Sequence, residues 1–443
     1  MKRQVLLVCL VFTAGCADEF GQPLDLAVKD FTSNAPPADL SPPTGGGADL
    51  TVSSDLSVDM NADPSDFSVT PADLAVAPPD LTTPIDLTPA PVQCDLAPAP
   101  VDDGGTVARL YLAAIGAQGA LVTARFDAAS GWSALASDAT KSLGDLSLAL
   151  HGASPLVVAR LTDAPPTLAA AELSPCTGAF SSPAALFDGA FTSRRPAIAG
   201  GATVDVLYRG AVNGDARLYH TRFDGSWAAA ARQDNFLTDL LPEVVRAGGA
   251  LHALFTGQNH KLYDGLVIDS GTGGTTTELT GATSSLAPSA VAGLDGTIYV
   301  VFTGMDTNLY EMVRAPGGAY GAAQKLCPSN SCLAQSDFEP QLALTASGLP
   351  VVAFHGTDKK VYAAVRAANG AWSSPVQATA GAETTDFSAA LASGLPDADA
   401  ELVYVRKSDG ALRHARLANG SFTLQPPLTG VVAQAAPALA TSR

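Results

Sequence analysis

The chain has 443 residues, with 25 Lys and Arg against 43 Asp and Glu, a formal charge of -18 and only 15% charged residues. No cluster of Lys and Arg offers a surface for phosphates, which excludes nucleic acid as a partner. Frequent glycine and proline, 41 and 31 residues, suit many short strands joined by turns rather than long surface helices.

The chain opens on the basic segment Met1-Lys2-Arg3, the apolar run Val5 to Phe12, and Thr13-Ala14-Gly15-Cys16. The apolar run is too short to span a bilayer and reads as a signal peptide. The small residues before Cys16 resemble the lipobox of bacterial lipoproteins, with Thr13 where leucine is usual. The resemblance implies a signal peptide over residues 1–16 and a lipid on Cys16, which becomes the mature N-terminus. Ala17, rather than aspartate, then directs the protein to the outer membrane of a bacterial cell envelope, surface-exposed. Membrane contact is through the lipid anchor only.

Residues 17–104 hold 16 acidic residues and one lysine, whereas residues 105–443 hold 27 acidic and 22 basic ones. The acidity is therefore concentrated in the first segment. There, Asp followed by leucine recurs (Asp39-Leu40, Asp49-Leu50, Asp73-Leu74, Asp86-Leu87) among Pro, Ala, Ser and Thr. No apolar face persists at either period, so the segment cannot bury enough surface to offset its ordering entropy. It reads as a disordered Pro/Asp-rich tether.

From residue 105 onward the sequence repeats. Ala287-Pro288-Ser289-Ala290-Val291 is followed by Ile298 to Gly304, Leu309 to Arg314, and Tyr320. The next copy runs Glu339-Pro340-Gln341-Leu342, Pro350 to Gly356, Val361 to Arg366, and Trp372. Pro196, Pro242, Pro288 and Pro340 anchor four copies at spacings of 46, 46 and 52 residues. Weaker copies open at Leu146-Ser147-Leu148 and Phe387-Ser388-Ala389. Each unit offers four short runs rich in Val, Leu, Tyr and Phe between Gly, Asp and Asn, hence four strands. A period in the forties with four strands predicts a propeller blade.

The two ends are complementary. Val107 to Tyr111 matches a second strand with no first strand before it, and Pro437 to Ala440 matches a first strand with nothing after it. The last segment is expected to complete the first blade and remove an exposed edge. The expected fold is all-β, a seven-bladed β-propeller of four-stranded blades over residues 105–443. First strands rich in Ala, Gly and Ser fit a crowded central channel.

Cys9 lies in the signal peptide, and Cys94, Cys176, Cys327 and Cys332 remain beyond the lipidated Cys16. An even number in an exported chain points to disulfides. Three pairings are possible; the favoured one closes the short Cys327–Cys332 loop and joins Cys94 to Cys176. Histidine partners at zinc spacing are missing, so no metal is expected. Motifs for metal, serine-nucleophile or phosphate chemistry are missing too, and no cofactor or catalytic residue is assigned. Asp397-Ala398-Asp399-Ala400-Glu401 is the densest acidic cluster of the repeat region. It reads as a solvated turn, with a calcium loop as the alternative.

Arginine ends the third strand in five copies: Arg125, Arg222, Arg314, Arg366 and Arg416. An aromatic opens the fourth strand: Trp132, Trp227, Tyr320, Trp372 and Phe422. A ring can stack on a sugar face while a guanidinium offers forked donors to hydroxyls or carboxylates. Packing of sheet on sheet for the rings, and pairing with turn acids for the arginines, are the structural alternatives. Phe302 to Tyr310, read as Phe-x-Gly-x-Asp-x-x-Leu-Tyr, together with Gly370-Ala371-Trp372-Ser373, resembles the repeats of bacterial and fungal lectin propellers, fucose-binding ones included. The resemblance implies sugar sites between blades, each built from an arginine, an acid and an aromatic. Arg125, Trp132, Arg222, Trp227, Arg314, Tyr320, Arg366, Trp372 and Arg416 are the candidates, and a recurring acid is missing. Sialidase-like propellers are the enzymatic rival, but their Ser-x-Asp-x-Gly-x-x-Trp box is not intact here. The sequence thus points to a monomeric, non-catalytic binder of a glycan or glycosylated protein, with a sialidase-like hydrolase or an interaction scaffold as alternatives.

Overall fold

The computed structural model describes residues 108–442, apart from residues 163–165, 175–179, 182–183, 187–189, 212–213, 271 and 328–333. Cys16, Cys94, Cys176, Cys332 and the tether lie outside the described residues. Cys327 is disulfide-bonded.

The described chain is all-β, and the strands within each sheet pair antiparallel, with isolated parallel bridges at His151–Gly201 and Arg232–Thr272. One sheet has eight strands: β1 (Arg109–Ile115), β2 (Ala120–Asp127), β3 (Gly131–Trp132), β4 (Ala136–His151), β5 (Ser154–Leu161), β6 (Leu168–Glu172), β7 (Ala184–Ala185), and the C-terminal strand Ala438–Ser442. Five four-stranded sheets follow in chain order. The first is β8 (Ala197–Ala199), β9 (Val204–Arg209), β10 (Arg217–Phe223) and β11 (Ala231–Leu237). The second is β12 (Glu243–Ala247), β13 (Ala250–Thr256), β14 (Lys261–Leu266) and β15 (Thr275–Thr283). The third is β16 (Ser289–Ala292), β17 (Ile298–Thr303), β18 (Leu309–Arg314) and β19 (Gln324–Lys325). The fourth is β20 (Gln341–Leu344), β21 (Pro350–His355), β22 (Val361–Val365) and β23 (Val376–Gln377). The fifth is β24 (Ala390–Ser393), β25 (Ala400–Val405), β26 (Leu412–Ala418) and β27 (Ser421–Leu424), after which the chain ends in β28 (Ala438–Ser442).

The eight-stranded sheet has an internal seam. The 16-residue β4 pairs with β2 through Ala136, Ser137, Asp138 and Lys141, then with β5 from Ser142 onward, with a register break between Ser142 and Leu146. Gly144, at φ +95°, makes that bend. One continuous strand therefore serves two four-stranded halves, where the sequence predicts separate short runs. β28 pairs with β1, Leu112 opposite Leu439 and Leu110 opposite Thr441.

Second strands are almost wholly buried, β21 and β25 along their whole length, while the fourth strand β15 is mostly exposed. This follows from position: a second strand is covered on both faces by neighbouring sheets, so it reads as a continuous apolar run. All but one of the described apolar clusters join two neighbouring sheets; the exception, with Tyr111, Leu121, Leu146 and Val157, joins the two halves of the eight-stranded sheet. Leu254, Leu262, Val300 and Met312 join β12–β15 to β16–β19, and Leu112, Val122, Val403 and Leu412 join the first strands to β24–β27. Innermost strands touch in sequence, β4 to β8 and on through β12, β16, β20, β24 and β28, which returns to β4. Serines stitch them together: Ser147 Oγ donates to Pro196 O (2.6 Å), and Ser393 Oγ to Leu344 O (2.5 Å).

The Gly-x-Asp-x-x-Leu-Tyr segment is a turn device. Asp306 accepts from the Tyr310 hydroxyl (2.9 Å) and the Asn308 amide (3.2 Å), and Asp358 from Tyr362 (2.7 Å) and the Lys360 amide (3.1 Å). Each tyrosine stacks on the cross-strand phenylalanine, Phe302–Tyr310 at 5.5 Å and Phe354–Tyr362 at 5.7 Å. The glycine is required because a Cβ at Gly304 would come within 2.6 Å of the Tyr310 ring.

Candidate functional site

The five arginines do not share one position. Arg314 bridges to Tyr320 and Arg366 to Trp372, but at the same register stand Phe126, bridged to Trp132, and Phe223, bridged to Trp227. Arg125, Arg222 and Arg416 come one residue earlier, opposite Tyr111, Asp205 and Glu401. Because side chains alternate between faces, these three point away from the aromatic of their own sheet. The apparent repeat mixes two registers.

The three displaced or packed sites are occupied by the protein itself. Arg222 donates to Asp205 (2.9 Å) and, through both terminal nitrogens, to Asp269 (2.7 and 2.9 Å). Arg246 also pairs with Asp205, and His220 Nε2 lies 2.9 Å from it. Burial pushes the Asp205 carboxyl up, but the hydrogen bonds from His220 and Arg222 and the charge of Arg246 outweigh it and hold the carboxyl below its usual range. Asp205, His220 and Asp269 bring ligand atoms within 4.8 Å of one another, yet two guanidiniums already neutralise them. Arg416 donates to Glu401 (3.0 Å) and Pro396 O (2.9 Å), with His414 Nε2 2.8 Å from the same carboxylate. Glu401 is fully buried, so the acidic run ending there is neither wholly a solvated turn nor a free calcium loop. Trp132 packs against Phe126 and His414 (5.2 and 5.1 Å), and Trp227 against Phe223 (5.0 Å). Phe422 packs against the cluster of Leu402 and Leu417.

Two junctions bring an arginine, an acid and an aromatic together. At the first, Arg366 Nε lies 2.7 Å from Glu311 and its guanidinium sits over the Tyr299 ring at 5.2 Å. Trp372 packs there against the cluster of Val301 and Leu326. Burial raises the Glu311 carboxyl above its ordinary range, and Arg366 only partly offsets this.

At the second, Arg314 Nη1 donates to Asp264 (2.9 Å), and the Tyr320 hydroxyl donates to the same oxygen (3.1 Å). The other oxygen of Asp264 lies 2.8 Å from His252 Nδ1. Burial, with Asp264 alongside, drives the Tyr320 hydroxyl far above its usual range, so it stays a donor. This junction opens into a pocket of about 790 Å3 between β12–β15 and β16–β19; Trp132 and Phe126 line another, of about 500 Å3, with Gln425 and Pro426. Thr275, Thr277, Thr280 and Glu278 form its hydroxyl-rich wall, and Leu266, Met312 and Gly321 its apolar side. Such a pocket can offer forked donors, hydroxyl partners and a ring edge at once.

The acid missing from the sequence reading is therefore present, but on the preceding sheet. Asp264 lies 50 residues before Arg314. The signal is the residue after the recurring tyrosine, in Leu262-Tyr263-Asp264 and Leu309-Tyr310-Glu311. In the other four-stranded sheets that place is filled by His220, by Ala363 and, after Arg413 instead of tyrosine, by His414, so two of these five sheets carry it. His252 and the threonines of β15 had no repeating signal.

No protein family matches the sequence, and no curated protein does. Solved structures resemble the chain at low identity. A putative 6-phosphogluconolactonase from Bacteroides fragilis is 11% identical with a TM-score of 0.50, covering 77% of this chain and 100% of its own. AofleA from Arthrobotrys oligospora is 13% identical with a TM-score of 0.46, covering 68% of this chain and 90% of its own. The fucose-specific lectin from Aleuria aurantia is 12% identical with a TM-score of 0.44, covering 65% and 97%. At these identities the likeness is one of fold alone.

Proposed function

We propose that residues 105–443 form a closed seven-bladed propeller whose inter-blade pocket binds carbohydrate or a glycosylated partner, without catalysis. In this reading β4 is shared between the first two blades and β28 completes the first one. The sequential contact of innermost strands and the pairing of β28 with β1 support the ring. The lipobox supports an outer-membrane lipoprotein anchored through Cys16 and spaced from the bilayer by residues 17–104. Cys327 pairs with Cys332, Cys94 with Cys176, and the protein is a monomer.

The observation that carries sugar binding is the pocket in which Arg314, Tyr320, Asp264 and His252 meet a wall of threonines. Neutral sugars are recognised by such mixtures of charged donors, acceptors and ring surface. The test is a glycan array followed by titration of the best glycan into the purified protein. Arg314→Ala should weaken binding about tenfold or more, a loss of roughly 1.4 kcal/mol or greater. Arg314→Lys, which keeps the charge but not the fork, should lose most of it too, with melting temperature held. Absence of binding across the array, or unchanged affinity in both variants, sinks the reading.

A further inference from the structure

The innermost strands surround a second cavity, of about 570 Å3, separate from the sugar pocket. Its wall is mostly Ala, Val and Leu, with Arg246 and Ser393 at other levels and a polar layer at one end. Ser147, Glu243 and Gln341 form that layer and share a register, opposite Val158, Leu254 and Ala353, with Ser289 at the same level of its strand but behind the lining. Arg195 stands at the same end, immediately before Pro196 and β8, and lines the cavity with them.

Most polar groups around this layer are engaged. Ser147 donates to Pro196 O, Ser289 Oγ accepts from the Leu342 amide (3.0 Å), and Gln341 donates to Pro340 O (3.0 Å). The neighbouring cations are engaged as well: Arg160 with Asp145, Arg246 with Asp205, and Arg194 Nε with Asp239 O (3.1 Å). Arg195 differs. It is half-buried, and among the described residues it has no hydrogen-bond or ion-pair partner. The half-buried Glu243 carboxyl accepts from the Val244 amide and has no ion-pair partner among the described residues, although the charge of Arg195 reaches both it and Asp145 on the strands to either side of β8.

A half-buried guanidinium with no paired anion is poised to take one, and its planar fork of donors matches a carboxylate. We infer that this end of the cavity binds a small monocarboxylate, gripped by Arg195 with the Glu243 carboxyl beside it. A doubly charged phosphate fits less well, since one free cation and one acid face it. The cavity volume falls within the range of small-molecule sites.

Glu243 adds a pH signature. Burial pushes its carboxyl up to about 7, with Arg195 pulling the other way. Below that pH it is neutral and can donate to the ligand; above it, a carboxylate repels the incoming anion. The other charged groups near this layer are Asp145 and Arg160, Arg194, Arg246 and Asp205. All except Arg194 are paired with one another or with Arg222.

The test is calorimetric titration of the purified full-length protein with acetate, lactate and D-glucuronate, each beside its carboxamide. At least one carboxylate should bind, and its amide should bind at least about tenfold more weakly. Arg195→Gln should match that loss without lowering the melting temperature, and Arg314→Ala should leave carboxylate binding intact. Between about pH 6 and about pH 8 the wild type should weaken roughly five- to tenfold, and Glu243→Gln should not. The site is overturned by binding of no carboxylate, by an amide that binds equally, or by an Arg195→Gln protein that binds like wild type. Loss with Arg314→Ala but not Arg195→Gln would assign the carboxylate to the sugar pocket and overturn it equally. The sugar reading stands or falls on the array alone, so the two failures are distinct.

Discussion

Glu243 is where one residue governs behaviour most directly. Its folded carboxyl titrates near 7 against an ordinary 4.5, so the folded chain holds the proton more tightly than the unfolded one. Stability from this group is fullest below about pH 4.5, declines as pH rises toward 7, and is level above. Glu243→Gln should therefore remove that decline and raise stability at pH 8 by about 2 kcal/mol, allowing for water in the cavity. Chemical denaturation of both proteins at pH 5 and pH 8 checks this; a difference that does not grow with pH contradicts it. Asp205, Glu383 and Asp409 pull in the opposite sense, since hydrogen-bonding partners hold their carboxyls low, which is why the variant must be read against wild type. At this scale the sequence was only partly legible. Arg314 with Tyr320, and Arg366 with Trp372, were readable as paired because both members lie in one repeat. Asp264 and Glu311 were not, because their partners sit one repeat later, and alternation hid that Arg125, Arg222 and Arg416 face the other way.

Among the elements, the recurring turn explains most of the repeat. The motif that resembles lectin repeats is satisfied internally: aspartate to tyrosine, tyrosine on phenylalanine, glycine beneath the ring. Its conservation along the chain is thus a requirement of the hairpin rather than of a ligand. Gly304→Ala should cost about 2–3 kcal/mol, because the new methyl meets an aromatic ring held in place by Asp306. Tyr310→Phe, which removes only the hydroxyl bond of a partly exposed pair, should cost about 1 kcal/mol or less. Urea melts that rank the two variants in the reverse order would contradict this account. Strand number and order were legible here from apolar runs and turn residues. The long β4 was not, since nothing in its polar sequence from Ser137 to Ser142 separates one strand from two.

At the scale of the molecule, the pairing of the last strand with the first is the expectation that complementary ends gave, and β28 does lie on β1. Removing residues 437–443 would bare the inner edge of β1 and the flank of β4 at once. Such a truncation should lower the melting temperature by about 10 °C or more, or leave the chain insoluble; an unchanged melt would mean that the contact is dispensable. The Arg109 amide reaches the Ser442 hydroxyl at 3.2 Å across 333 positions of chain. A chain assembled from its N-terminus meets this demand late: β1 must wait, one edge open, until β28 has been made. Folding is then gated by β28, and anything that delays or removes it exposes a sticky strand some 333 positions earlier.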